Sequence, residues 1–424
     1  MKSGLRILSL LAATVLLPGT SAFCQTFEWA NQPLVSSTFG GSDEGRAVAK
    51  DASGNVYVTG FFAGTADFDP GAGTANLSSA GGQDIFIAKY NASGNYVWAN
   101  RIGGASNDIA YAIALDGSGN VHVTGYMQGS NVDFDPGAGT ANLSSVGGRD
   151  IFIAKYDASG NYLWANRMGG TSSEVGYGIA LDGSGNVHIT GAFLSTTADF
   201  DPGVGTANLS NAGNDDIFVA KYDASGNYLW AGRTGGTNSD IGYGIAVDGS
   251  GNVHVTGSFQ GSNVDFDPGA GTANRSSAGN HDIFIAKYDV SGNYLWANRV
   301  GGASIDDGYG ITLDGSGNVY ATGAFLGANV DFDPGAGTAN LSSVGNINMF
   351  IAQYDASGNY IWANRTGSVI ARGNGLASDG SGNVLATGYF QGSDTDFDPG
   401  AGTANLSSGC GNRDAFAMRL SSAG

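Results

Sequence analysis

Asp182-Gly-Ser-Gly-Asn-Val-His-Ile-Thr-Gly191 is a short polar turn running into an alternating β-strand. Near copies begin at Asp51, Asp116, Asp248, Asp314 and Asp379, at intervals of 65, 66, 66, 66 and 65 residues. A Trp-Ala marker at Trp29, Trp98, Trp164, Trp230, Trp296 and Trp362 keeps nearly the same beat. A sustained period of this length decides the architecture before any local feature does.

Working outward from the turn gives one repeat. Residues 177–182 alternate, with Tyr177, Ile179 and Leu181 on one face, and 187–193 form the returning strand of a hairpin. A long connection, 194–215, carries Asp199-Phe-Asp-Pro-Gly203. A third strand at 216–222, a turn at 223–227 and a fourth strand at 228–233 complete the unit. Four antiparallel strands repeated through short links predict an all-β chain of propeller blades. A four-stranded sheet apolar on both faces must be sandwiched by neighbours, and a closed ring does that for every blade. The first three strands occur six times, which predicts a six-bladed β-propeller. The phases are offset. The chain after residue 24 starts with a fourth-type strand, 27–31, and finishes on a third-type strand, 415–420. The N-terminal strand is therefore expected to complete the last blade and close the ring without an open edge.

Composition agrees. Glycine supplies 72 of 424 residues without a collagen period, and 42% hydrophobic residues are too many for a disordered Gly/Ser chain. Residues 1–24 differ: Lys2 and Arg6 precede an apolar run and then small residues, as in a secretory signal peptide cleaved after Ala22 or Cys24. The run is too short to span a membrane. A lipid anchor at Cys24 is the weaker reading, because Phe23 precedes it. The expected domains are thus a signal peptide, 1–24, and a single propeller, 25–424, exported to the periplasm or the extracellular space. The formal charge of −19 becomes −21 once Lys2 and Arg6 leave, a surface that repels nucleic acid and anionic lipid. Cys24 and Cys410 are the only cysteines, and the predicted strand pairing sets them at opposite ends of one strand, a poor geometry for a disulfide.

The motifs Asp-Gly-Ser-Gly-Asn-Val-His-Val-Thr-Gly, Asp-Phe-Asp-Pro-Gly and Asp-Ile-Phe-Ile-Ala-Lys-Tyr-Asp resemble the bacterial SBBP beta-propeller repeat family, across 27–420. The first hairpin also resembles NHL-type blades, which place that hairpin innermost. The resemblance implies an exported propeller and supplies no catalytic residues. The family name implies seven blades, and this chain departs from it with six.

Candidate sites follow from the strand order. The long loops and blade links share one face of the ring, where propellers usually bind. Six Asp-Phe-Asp loops there, Asp67/Asp69, Asp133/Asp135, Asp199/Asp201, Asp265/Asp267, Asp331/Asp333 and Asp396/Asp398, are candidate calcium ligands or turn formers. No cofactor is required, and calcium is the one candidate. Tyr111, Tyr177, Tyr243 and Tyr309 begin the inner strands, with Arg46 and Asn374 at the equivalent places. They are candidate ligand-stacking residues or inter-blade packing. Link residues Asp43, Asp108, Glu174, Asp240 and Asp306 make an acidic rim that could collect cations or basic ligands and reads more simply as a solvated edge; the sixth link instead carries Arg372, a further candidate ligand-binding residue. His122, His188 and His254 share a slot filled elsewhere by Tyr57, Tyr320 and Leu385, which reads as packing. Asn76, Asn142, Asn208, Asn340 and Asn405 head Asn-Leu-Ser triplets and read as loop structure.

An enzyme needs one asymmetric constellation, and these blades are nearly interchangeable. No Ser-His-Asp set or metal-type His spacing is visible. The departures from the repeat are Arg275, residues 346–349 and the link 368–374. The leading expectation is a secreted, monomeric, non-catalytic scaffold binding an unknown protein or glycan. The alternatives are a multivalent lectin-like propeller and a polysaccharide-active enzyme on a propeller frame.

Overall fold

A computed structural model describes residues 34–35, 43–366, 370–379, 381–400, 402–409 and 413–421. Strands and turns make up the fold, with no α-helix among the described residues. In blade 3, Glu174–Leu181, Val187–Phe193, Asp216–Tyr222 and Tyr228–Thr234 pair antiparallel in chain order. Blade 1 is built from Glu44–Lys50, Val56–Asp67, Asn76–Tyr90 and Tyr96–Ile102. Blade 2 comprises Ile109–Leu115, Val121–Gln128, Arg149–Tyr156 and Tyr162–Gly170. Blade 4 comprises Ile241–Val247, Val253–Gln260, His281–Tyr288 and Tyr294–Val300. Blade 5 follows with Asp306–Leu313, Val319–Phe325, Asn348–Tyr354 and Tyr360–Thr366. Blade 6 has three described strands, Ile370–Ser378, Val384–Gln391 and Asp414–Leu420. The protein is a six-bladed β-propeller whose first strands pack side by side from one blade to the next.

Burial explains why no blade stands alone. Every residue of Val187–Phe193 is buried, so this strand is covered on both faces. Ile151, Ile153 and Met168 of blade 2 form one cluster with Ile179, Val187, Ile189 and Phe193 of blade 3. Each large side chain buried in this way contributes about 1.5–3 kcal/mol. The fourth-strand tryptophans join the same interfaces: Trp164 meets His122 edge-on at 6.1 Å, and Trp230 meets His188 at 6.4 Å. The His slot is a packing slot.

The hairpin turns are held by their aspartates. Asp182 Oδ1 accepts the N–H groups of Ser184 and Asn186 at 2.9 and 3.0 Å, and Gly185 takes the φ of 78° that the turn requires. Asp182 Oδ2 takes Asn186 Nδ2 at 2.8 Å and Lys221 Nζ at 3.2 Å. Burial alone would raise this carboxyl; the Asn186 side chain and the backbone N–H bonds outweigh it and hold it well below the usual range.

The expected closing strand at 27–31 lies outside the described residues, as do the signal segment, Cys24 and Cys410. One adjacent register bears on closure. Gly169 stands five residues after Trp164 and pairs with Asp199 of the next blade. Leu34 stands five residues after Trp29 and pairs with Asp67 of blade 1. That is the register a fourth strand of blade 6 would leave behind it.

Candidate ligand site at the channel mouth

The first strand of every blade carries a β-bulge at one position. Pairing jumps from Gly45 to Ala47, Ala110 to Ala112, Gly176 to Gly178, Gly242 to Gly244, Gly308 to Gly310 and Gly373 to Gly375. The residue left out of the ladder is Arg46, Tyr111, Tyr177, Tyr243, Tyr309 or Asn374. A bulge re-aims the side chain of its extra residue and recurs beside functional sites. The glycine of the repeated Thr-Gly on the second strand makes room for it. A Cβ built on Gly191 would overlap the Val175 carbonyl oxygen, and Gly60, Gly125, Gly257, Gly323 and Gly388 are under the same constraint. The preceding threonine anchors the neighbouring strand: Thr190 Oγ1 donates to the Phe218 carbonyl at 2.8 Å.

The bulge side chains meet around the inner ring. Tyr111 lies 5.0 Å from Tyr177, Tyr177 5.3 Å from Tyr243, and Tyr243 5.1 Å from Tyr309, as ring centroids. Arg46 lies 5.2 Å over the Tyr111 ring and Arg372 3.5 Å over the Tyr309 ring. A half-buried belt therefore runs from blade 1 to blade 6. Burial first, and the Asp307 carboxylate second, push the Tyr243 hydroxyl up to about 12, so it stays a donor at neutral pH.

Charge varies around this belt. Two residues before the bulge stand Glu44, Ile109, Val175, Ile241, Asp307 and Arg372, opposite Phe61, Tyr126, Ala192, Ser258, Ala324 and Tyr389 on the second strands. Arg149 lies 4.5 Å over the Tyr126 ring and Arg413 4.6 Å over the Tyr389 ring. Asp307 accepts the Tyr309 hydroxyl at 2.7 Å and faces His281 Nδ1 at 3.7 Å. Burial raises the Asp215 carboxyl above its ordinary range. The result is a basic arc on blades 6, 1 and 2, facing acids on blades 3 and 5, Asp215 and Asp307, with Ser258 and His281 of blade 4 between them.

Two readings of the links change. Asp108, Glu174, Asp240 and Asp306 form no solvated rim, since each is fully buried. Asp43, in the first link, is partly buried and accepts Ala63 N–H at 2.8 Å. Asp240 Oδ2 accepts Gly236 N–H at 2.7 Å and Oδ1 accepts Gln260 N–H at 2.9 Å, capping backbone that the bend would leave unpaired. Burial raises the Asp108, Asp240 and Asp306 carboxyls to about 7 despite those bonds. Arg372 does not replace this acid either. The strand register puts Ala371 in that slot and Arg372 in the place that Asp307 holds on blade 5, at the mouth. The third-strand acid that neighbours the slot, Asp282 in blade 4, is Asn348 in blade 5, so both charges vanish together next to blade 6.

The Asp-Phe-Asp loops form their own structure. Phe200 is fully buried between Phe193 and Phe218, at 5.7 and 5.0 Å. The first aspartate of each pair closes the loop across its width. Asp199 Oδ1 accepts Asp201 and Ala207 N–H at 3.0 and 2.8 Å, and Asp67, Asp133, Asp265, Asp331 and Asp396 make the same two bonds. The second aspartate holds the turn after the proline. Asp201 accepts Gly203 N–H at 2.8 Å, as Asp69 does from Gly71, Asp135 from Gly137, Asp267 from Gly269 and Asp333 from Gly335, while Asp398 accepts Gly400 N–H at 2.7 Å. The other carboxylate oxygen of Asp69, Asp135, Asp201, Asp267, Asp333 and Asp398 lies where a Cβ would stand on Gly73, Gly139, Gly205, Gly271, Gly337 and Gly402. As calcium candidates, Asp69, Asp135, Asp201, Asp267, Asp333 and Asp398 are thus folded back onto their own loops, one oxygen on an N–H and the other against a glycine. No loop gathers a third acid: among the described residues no three His, Cys, Asp or Glu side chains come together as a metal set. Calcium asks for six to eight oxygens, and each pair brings two carboxylates at most. None of the twelve joins the tyrosine belt. Asn208–Leu209 forms a two-residue strand against Ala198–Asp199, as Asn142, Asn340 and Asn405 do in their loops, and Asn76 makes the same pairing at the start of Asn76–Tyr90.

Ring, repeat and inner hairpin together define a β-propeller of repeated blades. The SBBP Beta-propeller repeat model matches this chain at residues 97–134 and 229–266, in agreement with the motif resemblance. An uncharacterized WD repeat-containing protein of Acanthamoeba polyphaga mimivirus is 27% identical over 85% of this chain and 31% of its own length. The Regulatory protein FlaEY of Caulobacter vibrioides is 27% identical over 40% of this chain and 18% of its own length. The chain thus spans a third or less of these curated relatives. Among solved structures, a protein of unknown function from Bacteroides caccae aligns over 76% of this chain and 82% of its own, at 10% identity and a TM-score of 0.34. No helix of the described residues is long and apolar enough to cross a membrane.

Proposed function

We propose that this chain is a secreted, non-catalytic propeller that binds a ligand at the channel mouth through Tyr111, Tyr177, Tyr243, Tyr309 and Arg372. The observation that carries this reading is positional. Five of the six bulge side chains, Arg46, Tyr111, Tyr177, Tyr243 and Tyr309, join one belt that Arg372 ends on blade 6, and that belt and its immediate neighbours are where charge changes from blade to blade. The Asp-Phe-Asp loops and hairpin turns keep one structure throughout. The export reading rests on residues 1–24, and an intact mass starting after Ala22 or Cys24 in the exported protein tests it.

The binding test compares Tyr177→Ala and Tyr243→Ala with Ser184→Ala, which lies on a hairpin turn at the other end of the blade. Glycan arrays and pull-down provide the readout. Loss of every ligand in the tyrosine variants alone supports the mouth. Equal binding by all three variants contradicts it. The lectin-like reading draws on the sixfold loops and requires binding that rises with ligand valency. The enzyme reading requires a turnover lost on mutating 368–374 but not the matching links.

A further inference from the structure

Most basic residues of this chain repeat with the blades and are structurally committed. Lys155, Lys221 and Lys287 pair with Asp116, Asp182 and Asp248 at 3.2 to 3.3 Å. Arg101, Arg167 and Arg233 pair with the buried Asp84, Asp150 and Asp216 at 2.6 to 2.8 Å, and Arg299 pairs with Asp282. After Arg6, the cations that break the period are Arg46, Lys50, Arg149, Arg275, Arg372 and Arg413. Four of these six, Arg46, Arg149, Arg372 and Arg413, converge on the mouth. In a chain of net charge −19, that is a local reversal of sign.

Among the described residues, Arg46 alone of the four forms an ion pair, with Glu44 at 3.0 Å. Arg149, Arg372 and Arg413 lie over tyrosine rings instead. A guanidinium held over a ring and without a carboxylate partner has N–H donors to offer a planar anion, and the guanidinium fork favours bidentate carboxylate recognition. Arg372 Nε is buried and has no hydrogen-bond partner.

The opposite arc selects which anion. Asp215, Asp307, Ser258 and His281 present hydroxyl-binding groups, and their carboxylates repel a densely charged chain of phosphates or sulfates. The tyrosine belt adds rigid surfaces with an apolar body and a polar tip. We infer that the mouth binds an acidic oligosaccharide. Its carboxylate engages the arginines of blades 6, 1 and 2, its ring face lies on the tyrosines, and its hydroxyls reach Asp215 and Asp307. This rests on the mouth being the ligand site.

Titration calorimetry of the full chain with tetragalacturonate, its methyl ester and an Asp/Glu-rich tetrapeptide tests the inference. The acid is expected to bind at least about tenfold more tightly than the ester, with Arg372→Gln and Arg149→Gln each losing about tenfold. The affinity should fall with added salt. Thermal melts of the variants report whether they fold, and Arg275→Gln, away from the mouth, should bind as wild type. No binding of the acid overturns the inference, as does equal binding of acid and ester or a preference for the peptide. If a ligand found on arrays keeps its affinity in Tyr177→Ala and Arg372→Gln, the mouth itself is wrong. Ester binding lost in the same two variants keeps the mouth and rejects only the acid.

Discussion

Replacing Gly191 with alanine tests the device that shapes the mouth. The added Cβ would overlap the carbonyl of Val175, which the bulge at Tyr177 pushes onto the second strand, and would press on the Phe218 ring. The strand is buried on both sides, so neither neighbour can retreat into solvent. Overpacking of this kind costs about 1–3 kcal/mol. Disturbing the ladder bonds flanking the bulge adds about 1 kcal/mol more. The sum is about 3 kcal/mol, which for a chain of this length lowers Tm by about 3–4 °C. Calorimetric melting or urea unfolding measures it. The control is Gly183→Ala, where a Cβ meets nothing and φ is unexceptional, with an expected change within about 0.5 kcal/mol. If the two variants melt together, the second-strand glycine does not accommodate a bulge and the account of the belt fails.

Four further outcomes follow from the same structure. Asp182→Ala strips Lys221 and the turn of their acceptor and should cost about 3 kcal/mol. Asp223→Ala, whose exposed turn accepts the same N–H bonds without a lysine, should cost about 1 kcal/mol by urea unfolding. Asp240 is raised to about 7 when folded, from 3.8, so the folded state holds a proton that the unfolded chain releases above about pH 4. Its contribution is therefore full below that point and is lost as pH rises to about 7. Relative to Asp240→Asn, wild type should gain about 1 kcal/mol of stability per unit as pH falls from about 7 to about 5, and a pH-independent difference refutes the raised carboxyl. Chelator or added calcium should leave Tm unchanged, because the Asp-Phe-Asp carboxylates, Asp69 and Asp267 among them, already accept backbone N–H bonds. A rise with calcium that saturates would show a site in these loops.

The repeat was legible because each blade restates it. Asp182-Gly-Ser-Gly-Asn announces its turn by residue type alone, and the tryptophans mark the fourth strands. The bulge was not legible. Residues 177–182 alternate cleanly on paper, and nothing in Gly-Tyr-Gly says that Tyr177 drops out of the ladder. The recurrent Thr-Gly was the available signal, since a glycine in mid-strand marks close backbone approach. The link acids misled for a related reason. An Asp beside Ser and Asn reads as surface, whereas Asp108 and Asp240 turn inward to satisfy two N–H groups each. The loop acids left two readings open because a carboxylate that caps a turn and one that awaits a cation share a residue type. Asp333 and Asp398 differ from free ligands only in where their oxygens point, which spacing does not encode. Arg372 was set one place off because the last repeat interval is 65 residues, which aligns Ala371, not Arg372, with Asp306. Arg149 and Arg413 went unremarked because they break the repeat one residue before the third-strand aspartate or its equivalent.

The central claim is that the ligand seat is the bulge belt. A high-resolution structure of the full chain soaked with its best array ligand, in buffer containing calcium, tests it most directly. Ligand density against Tyr177, Tyr243 and Arg372, with side chains from several blades on one molecule, is the predicted result. Density repeated around the Asp-Phe-Asp loops, or on the Asp-Gly-Ser-Gly-Asn face, would contradict it.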